Sequence, residues 1–155
     1  MEVRKARASD VDKLAELGLK LVKSHYKFDR KMYEMKKKSK SLFLPYFKKH
    51  VRSNDSLFQV AEENGKIMGY CLCFVEQWPP IYKRSKNCRL QDIYVLPGHR
   101  KKGLAGNMIE NAIAFAKKKK CDSIAVKVNE QNKTAIRRYK KSGFKPNTKD
   151  MLMKT

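Results

Sequence analysis

Two stretches of this chain combine residue types and spacings that can do chemistry. In the first, the apolar run Ile93-Tyr94-Val95-Leu96 passes through Pro97-Gly98-His99 into Arg100-Lys101-Lys102-Gly103, and Leu104-Ala105-Gly106 opens a segment of helical periodicity. A strand that runs into a basic, glycine-containing turn and then a helix makes an anion site. The first amides of the helix have no partner inside it, and its dipole favours negative charge there. Gly103 lets backbone approach a phosphate closely, Ala105 and Gly106 clear space beside it, and Arg100, Lys101 and Lys102 add charge. The chemistry expected is pyrophosphate binding. The stretch is neither a Walker loop, which needs Gly-x-x-x-x-Gly-Lys-Ser/Thr, nor the three-glycine dinucleotide fingerprint.

The second stretch holds Asn132, Ala135 and Tyr139 at i, i+3 and i+7. That spacing sets them on one helix face, with the Asn amide and the Tyr hydroxyl aimed beside the preceding strand. Acids near such a site are few: Asp92 on the expected fourth strand and Glu76 at the end of the third. Asp92 alternates with Leu90 and Tyr94, which predicts that the three share a face. Partial desolvation there would raise the Asp92 pKa toward that of a useful base. His25, His50 and His99 do not cluster in sequence and read as surface residues.

These groups must be positioned by a mixed set of elements. Val3 to Ala6 reads as a short strand, followed by a helix with Ser9 as cap and Asp12 as the acid of a capping box. Leu14, Leu17, Leu21 and Val22 form its apolar stripe. Ser24 to Ser41 reads as a Lys-rich loop with a further helical region. Leu42 to Val51 reads as another helix, with Pro45 near its start. Phe58 to Ala61 and Ile67 to Val75 flank Asn64-Gly65, the pair that a tight antiparallel hairpin prefers. Cys88 to Leu96 follows as a strand, Gly103 to Lys120 as a helix ending in four lysines, and Ser123 to Val128 as a buried strand. Thr134 to Lys141 reads as a helix closed by Gly143, and the tail to Thr155 as one or two short strands. The order gives an α/β domain with a meander followed by alternating helix and strand.

The chain has 155 residues and 41% hydrophobic content, enough for one core and too much for a disordered basic tail. With 37 Lys and Arg against 15 Asp and Glu, it carries a net charge of +22. That charge suits nucleic acid, an acidic surface or a phosphate-rich small molecule, and weighs against a highly cationic substrate. No apolar run approaches the roughly 20 residues of a membrane helix, and no signal-like stretch follows Met1. The expectation is a single domain over residues 1–155, cytoplasmic, with no membrane association. Cys71, Cys73, Cys88 and Cys121 lack zinc-ligand spacing, so no metal is expected. Cys71 and Cys73 should share a strand face as small buried thiols.

In four places in register, the sequence resembles the GCN5-related N-acetyltransferase (GNAT) superfamily. Arg100 to Ala105 is similar to its Arg/Gln-x-x-Gly-x-Gly/Ala motif, and Asn132 to Phe144 to its Asn-x-x-Ala-x-x-x-Tyr-x-x-x-Gly-Phe segment. The hairpin from Val60 to Tyr70 resembles its second and third strands, and Arg4 to Asp10 its opening strand and helix. Lys101 and Lys102 stand where glycine is frequent. The resemblance implies a mixed central sheet flanked by helices and split between the fourth and fifth strands, with acetyl-CoA as cosubstrate. Backbone at Ile93, Tyr94 and Val95 would pair with the pantetheine arm. The turn from Arg100 through Lys101, Lys102, Gly103, Leu104 and Ala105 to Gly106 would hold the pyrophosphate, and Asn132 would contact the arm. Tyr139 would sit near the sulfur and protonate the departing thiolate. The implied reaction is direct attack of an amine on the acetyl thioester, with Asp92, Glu76 or water as base. Tyr26, Phe28, Tyr33 and Trp78 fall where the family builds its acceptor pocket. The acceptor amine stays open, as does oligomeric state, a homodimer included. The alternative is a basic nucleic-acid- or ribosome-associated protein on this fold, with little catalysis. No helix-turn-helix or aromatic RNA-binding signature supports it.

Overall fold

The computed structural model describes residues 2–153. One sheet runs in sequence order. β1 (Glu2–Lys5), β2 (Ser56–Glu63), β3 (Lys66–Gln77) and β4 (Lys86–Val95) pair antiparallel, and β5 (Ser123–Val126) joins β4 in parallel. A parallel neighbour needs a crossover, which α3 (Leu104–Lys118) provides. α1 (Val11–Ser24) and α2 (Ser39–Arg52) cover one face of the sheet, burying Leu14, Leu17 and Phe47 against Phe58, Val60, Tyr70 and Leu72. α3 and α4 (Lys133–Lys141) cover the other, where Met108, Ile109 and Tyr139 pack on Ala61, Cys71, Cys73, Cys88 and Leu90. Cys71 and Cys73 therefore do share a face, and all four cysteines are free thiols. Among the described residues no helix is long and apolar enough to cross a membrane.

The β2–β3 hairpin turns at Asn64 (φ 51°) and Gly65 (φ 73°), the two left-handed positions its sequence predicts. Several expected details differ. The chain enters α1 through a short 3₁₀ turn, Ala8–Asp10, and the acid that caps it is Asp10 rather than Asp12, with no cap from Ser9. Asp10 Oδ2 accepts from the Arg7 amide at 2.7 Å. Asp10 is held there by Arg4, whose guanidinium also reaches Glu62 on β2 (2.8 Å to Asp10 and 2.5 Å to Glu62). Residues 25–38 form turns without a helix. α2 starts at Ser39, so Pro45 lies inside it, because the exposed turn Ser39-Lys40-Ser41 extends the helix ahead of its apolar stripe. β5 ends at Val126, two residues earlier than expected. No strand forms among residues 145–153: a strand needs a paired edge, and the tail reaches the sheet through the Lys127–Asp150 ion pair (3.1 Å). Thr155 lies outside the described residues. His50 is buried, contrary to the surface reading, with its Nδ1 2.7 Å from Ser56 Oγ and its ring stacked on Phe74.

Candidate active site

The site begins with one extra residue. On β3 and β4, Cys73 pairs with Leu90 and Leu72 with Asp92, so Gln91 bulges out of register. A bulge inverts the alternation of side chains beyond it. Leu90 therefore packs on the α3 face, whereas Tyr94 joins the α1–α2 core and Asp92 pairs with Leu72 of that core. This corrects the expectation that Leu90, Asp92 and Tyr94 share a face. The register between β4 and β5 also stops at Leu90–Val126, so residues 91–95 of β4 run on beside an open edge. The Leu96 amide donates to the Met68 carbonyl on β3 at 2.8 Å. By alternation, Ile93 and Val95 turn their backbone groups away from β3 into the opening, and Tyr94 turns its own toward β3. Arg100 Nε donates to the Val95 carbonyl at 2.8 Å, which leaves the Val95 amide for that edge.

Beyond the opening lies the basic turn. Lys101 (φ 63°) and Gly103 (φ 80°) are left-handed, and such turns direct successive amides to one side as an anion-binding nest. Lys101 thus occupies a conformation that favours glycine. The amides of Gly106 and Asn107 already donate to the Gly103 carbonyl (2.8 and 3.1 Å), so those of Leu104 and Ala105 are the outward-facing pair at the start of α3. The Gly106 backbone has a second use. A Cβ placed there would overlap Arg138 Nη2, so a larger residue at 106 would displace the guanidinium that α4 sets under the first turn of α3. Among the described residues, Arg138 Nε is buried without a hydrogen-bond partner.

Tyr139 is buried on α4 with its ring against Phe144 (centroids 5.6 Å apart). Burial first, and then the nearby Cys71 and Asp92, raise its pKa, so the phenol keeps its proton throughout the physiological range. Asn132 caps α4, its Oδ1 accepting from the Ala135 amide at 3.2 Å.

The sequence profile of the acetyltransferase (GNAT) family matches residues 21–144, most of the chain. The chain belongs to the GNAT family. It is 30% identical over 142 residues to an uncharacterized N-acetyltransferase, MJ1207, of Methanocaldococcus jannaschii; the match covers 92% of this chain but 59% of that relative's length. Its fold is similar to that of a mutant of the BH1408 protein from Bacillus halodurans (TM-score 0.88, 23% identity, 100% and 99% of the two chains). It is also similar to that of a predicted acetyltransferase from Clostridium acetobutylicum crystallised with acetyl-CoA (TM-score 0.76, 21% identity, 99% and 95%). The GNAT fold accounts for the mixed sheet and for the split beside β4.

On the α1–α2 face of this GNAT sheet, the bulge sets Asp92 among groups that the sequence motifs do not mark. Burial pushes the Asp92 carboxyl up to about 6, against a smaller opposing effect of the Tyr70 hydroxyl, which donates to Oδ2 at 3.4 Å. Tyr46 of α2 lies on the same side. Burial, then the charges of Asp92 and Glu76, push its phenol up to about 12. Glu76 is held by Arg89 (3.1 Å) and accepts from Asn87 at 3.4 Å. Of the expected site residues, Ile93 and Val95 face the open edge of β4, Tyr94 turns its backbone toward β3, the turn from Arg100 to Gly106 follows that edge, Asn132 and Tyr139 belong to α4 and its cap, and Asp92 lies on the α1–α2 face. Sequence motifs do not single out Tyr46, Tyr70 or Arg138. Tyr70 reads only as one more residue of an apolar run, and Arg138 as one more cation on an amphipathic helix.

Proposed function

We propose that this protein transfers acetyl from acetyl-CoA to a primary amine by direct attack. The observation that carries the reading is the end of the β4–β5 pairing at Leu90, beside the Gln91 bulge, which leaves β4 an open edge that runs into the basic turn. The residues present fit the cosubstrate. Two left-handed residues and the outward amides of Leu104 and Ala105, with Arg100, Lys101 and Lys102 around them, suit a pyrophosphate. The β4 edge at Ile93 and Val95 suits the amides of a pantetheine arm.

Bound acetyl-CoA supplies an activated acetyl thioester. Asp92 takes a proton from the incoming ammonium, which restores the nucleophilic lone pair. Asp92 is favoured over Glu76 because Arg89 already occupies Glu76. The Val95 amide donates to the thioester oxygen as charge builds on it. Tyr139, protonated at working pH, gives its proton to the departing sulfur, and the proton that the new amide nitrogen sheds returns through solvent to the phenol. Calorimetry with acetyl-CoA at about 0.15 M salt, where loose charge attraction is screened, tests the cosubstrate site, with ADP as control. Saturable 1:1 binding much tighter than ADP, followed by amine-dependent release of CoA thiol, is expected. Binding no better than ADP would reduce the turn to an anion-attracting loop. The +22 charge would then favour the polynucleotide-binding alternative.

A further inference from the structure

Arg138 stands in a place that does not suit a cation. The other cations of α4, Lys133, Arg137, Lys140 and Lys141, are exposed, whereas Arg138 turns inward. Its guanidinium lies against Gly106 in the first turn of α3. A Cβ at that glycine would meet Nη2, and would lie 2.9 Å from Cζ and 3.4 Å from Nη1. The Arg138 Nε is buried and, among the described residues, has no hydrogen-bond partner. A buried donor left unpaired is destabilising, and more so when it is charged.

The surroundings add to that. The start of a helix carries positive partial charge, so a cation beneath it is repelled. Arg100, Lys101 and Lys102 stand in the turn that leads into the same helix. Among the described residues, none of these four cations forms an ion pair with an acid. Four cations and a helix start therefore share one place with no negative charge against them, and what balances them is an anion of more than one charge. The outward amides of Leu104 and Ala105 immediately precede Gly106, within about 3 Å of helix rise. A guanidinium there is apt, because its planar fork offers paired donors to phosphate oxygens.

We propose that Arg138 is a diphosphate-binding residue: from beneath the first turn of α3 its charge helps hold the diphosphate of acetyl-CoA, and until that anion arrives it destabilises the protein. Tyr139 is the next residue of α4, so the same contact ties the helix that carries the phenol to the phosphate end of the cosubstrate. This rests on the reading that acetyl-CoA binds at the turn.

Arg138→Met keeps an unbranched apolar stem and removes the charge. By calorimetry its acetyl-CoA Kd should rise about 10- to 100-fold, the range of a hydrogen bond to a charged group. S-acetylpantetheine, which ends before the diphosphate, should bind both forms alike in an NMR titration. The ligand-free variant should melt at or above the wild-type temperature, because an unpartnered cation has been removed from a helix start. Gly106→Ala is a second variant. The guanidinium is the far end of a flexible side chain, so the added methyl should move it and leave the backbone in place. It should also weaken acetyl-CoA binding, and combining it with Arg138→Met should bring no further loss. An unchanged Kd in Arg138→Met would overturn the proposal. A lower melting temperature with equal losses on both ligands would do so too, since that is the mark of a packing residue. If the wild type binds no acetyl-CoA, the functional reading fails instead, and inorganic pyrophosphate becomes the probe. A rise in melting temperature with pyrophosphate in the wild type and none in Arg138→Met would then keep Arg138 in an anion site, and equal rises would remove it.

Discussion

Asp92 owes its chemistry to a single backbone irregularity. A carboxyl at the edge of a core, facing the Tyr70 hydroxyl, holds its proton up to about pH 6. For the Asp92→Asn variant we expect kcat to fall by about 10²–10⁴-fold, the usual worth of a positioned base, with acetyl-CoA affinity unchanged. The wild-type rise of kcat/KM through about pH 6 should disappear. Stability should move the other way. Because the folded carboxyl binds its proton more tightly than the unfolded one, stability falls as pH rises from about 4 to about 6. Above that window the buried charge is a cost. Asparagine should therefore add up to about 3 kcal/mol to the unfolding free energy at pH 7.5, with the gain vanishing below about pH 4. Urea melts across this range check the sign, and a loss of stability at pH 7.5 would contradict the burial account.

At the scale of elements, two glycines do different work and can be told apart. A Cβ at Gly69 would lie 2.6 Å from the Tyr94 carbonyl, so Gly69→Ala would push β3 from β4 beside the open edge. We expect a loss of roughly 1–3 kcal/mol, as in other overpacked sites, measured by thermal melts. At Gly103 a Cβ would meet nothing within 4 Å, and only its left-handed φ of 80° opposes a side chain. Gly103→Ala should cost about 1–2 kcal/mol in backbone strain, or else lose the left-handed turn. In the second case acetyl-CoA affinity falls while the melting temperature stays near wild type. Equal effects of the two substitutions on melting and binding would contradict this division. The Asn64-Gly65 hairpin, by contrast, is legible directly, because both residues hold the positive φ that such a turn requires.

For the whole molecule, charge and architecture act on binding kinetics together. The chain carries an excess of 22 positive charges, three of them at the basic turn on Arg100, Lys101 and Lys102, while acetyl-CoA is polyanionic. Its association rate should fall by about tenfold or more between low salt and about 0.5 M salt, with a smaller change in dissociation, measured by stopped-flow fluorescence. A salt-independent association rate would mean that the charges lie away from the approach path. The same molecule keeps its two halves apart. The core under α1 and α2 positions Asp92, Tyr46 and Tyr70, and the core under α3 and α4 positions the turn, Arg138 and Tyr139.

Local signals were enough for much of this. The hairpin at Asn64-Gly65, the α1 stripe, the basic turn before α3 and the α4 helix all depend on neighbours within a few residues, and each appears as expected. Four motifs in register were enough for the family. What depended on distant partners was not legible. The Gln91 bulge exists only in the pairing of β4 with β3, so alternation alone set Asp92 on the same face as Leu90. His50 is buried because Phe74 and Ser56 reach it from other elements, and Asp10 rather than Asp12 caps the entry to α1 because Arg4 holds it. The tail carries apolar residues that read as a strand, yet pairing needs an edge and the chain does not bring one to it. Sequence alone determined most of the elements and the family they belong to, because propensity, periodicity and turn geometry are local. Tertiary structure decided which faces and edges those elements present, because register and burial are set by residues far apart in the chain.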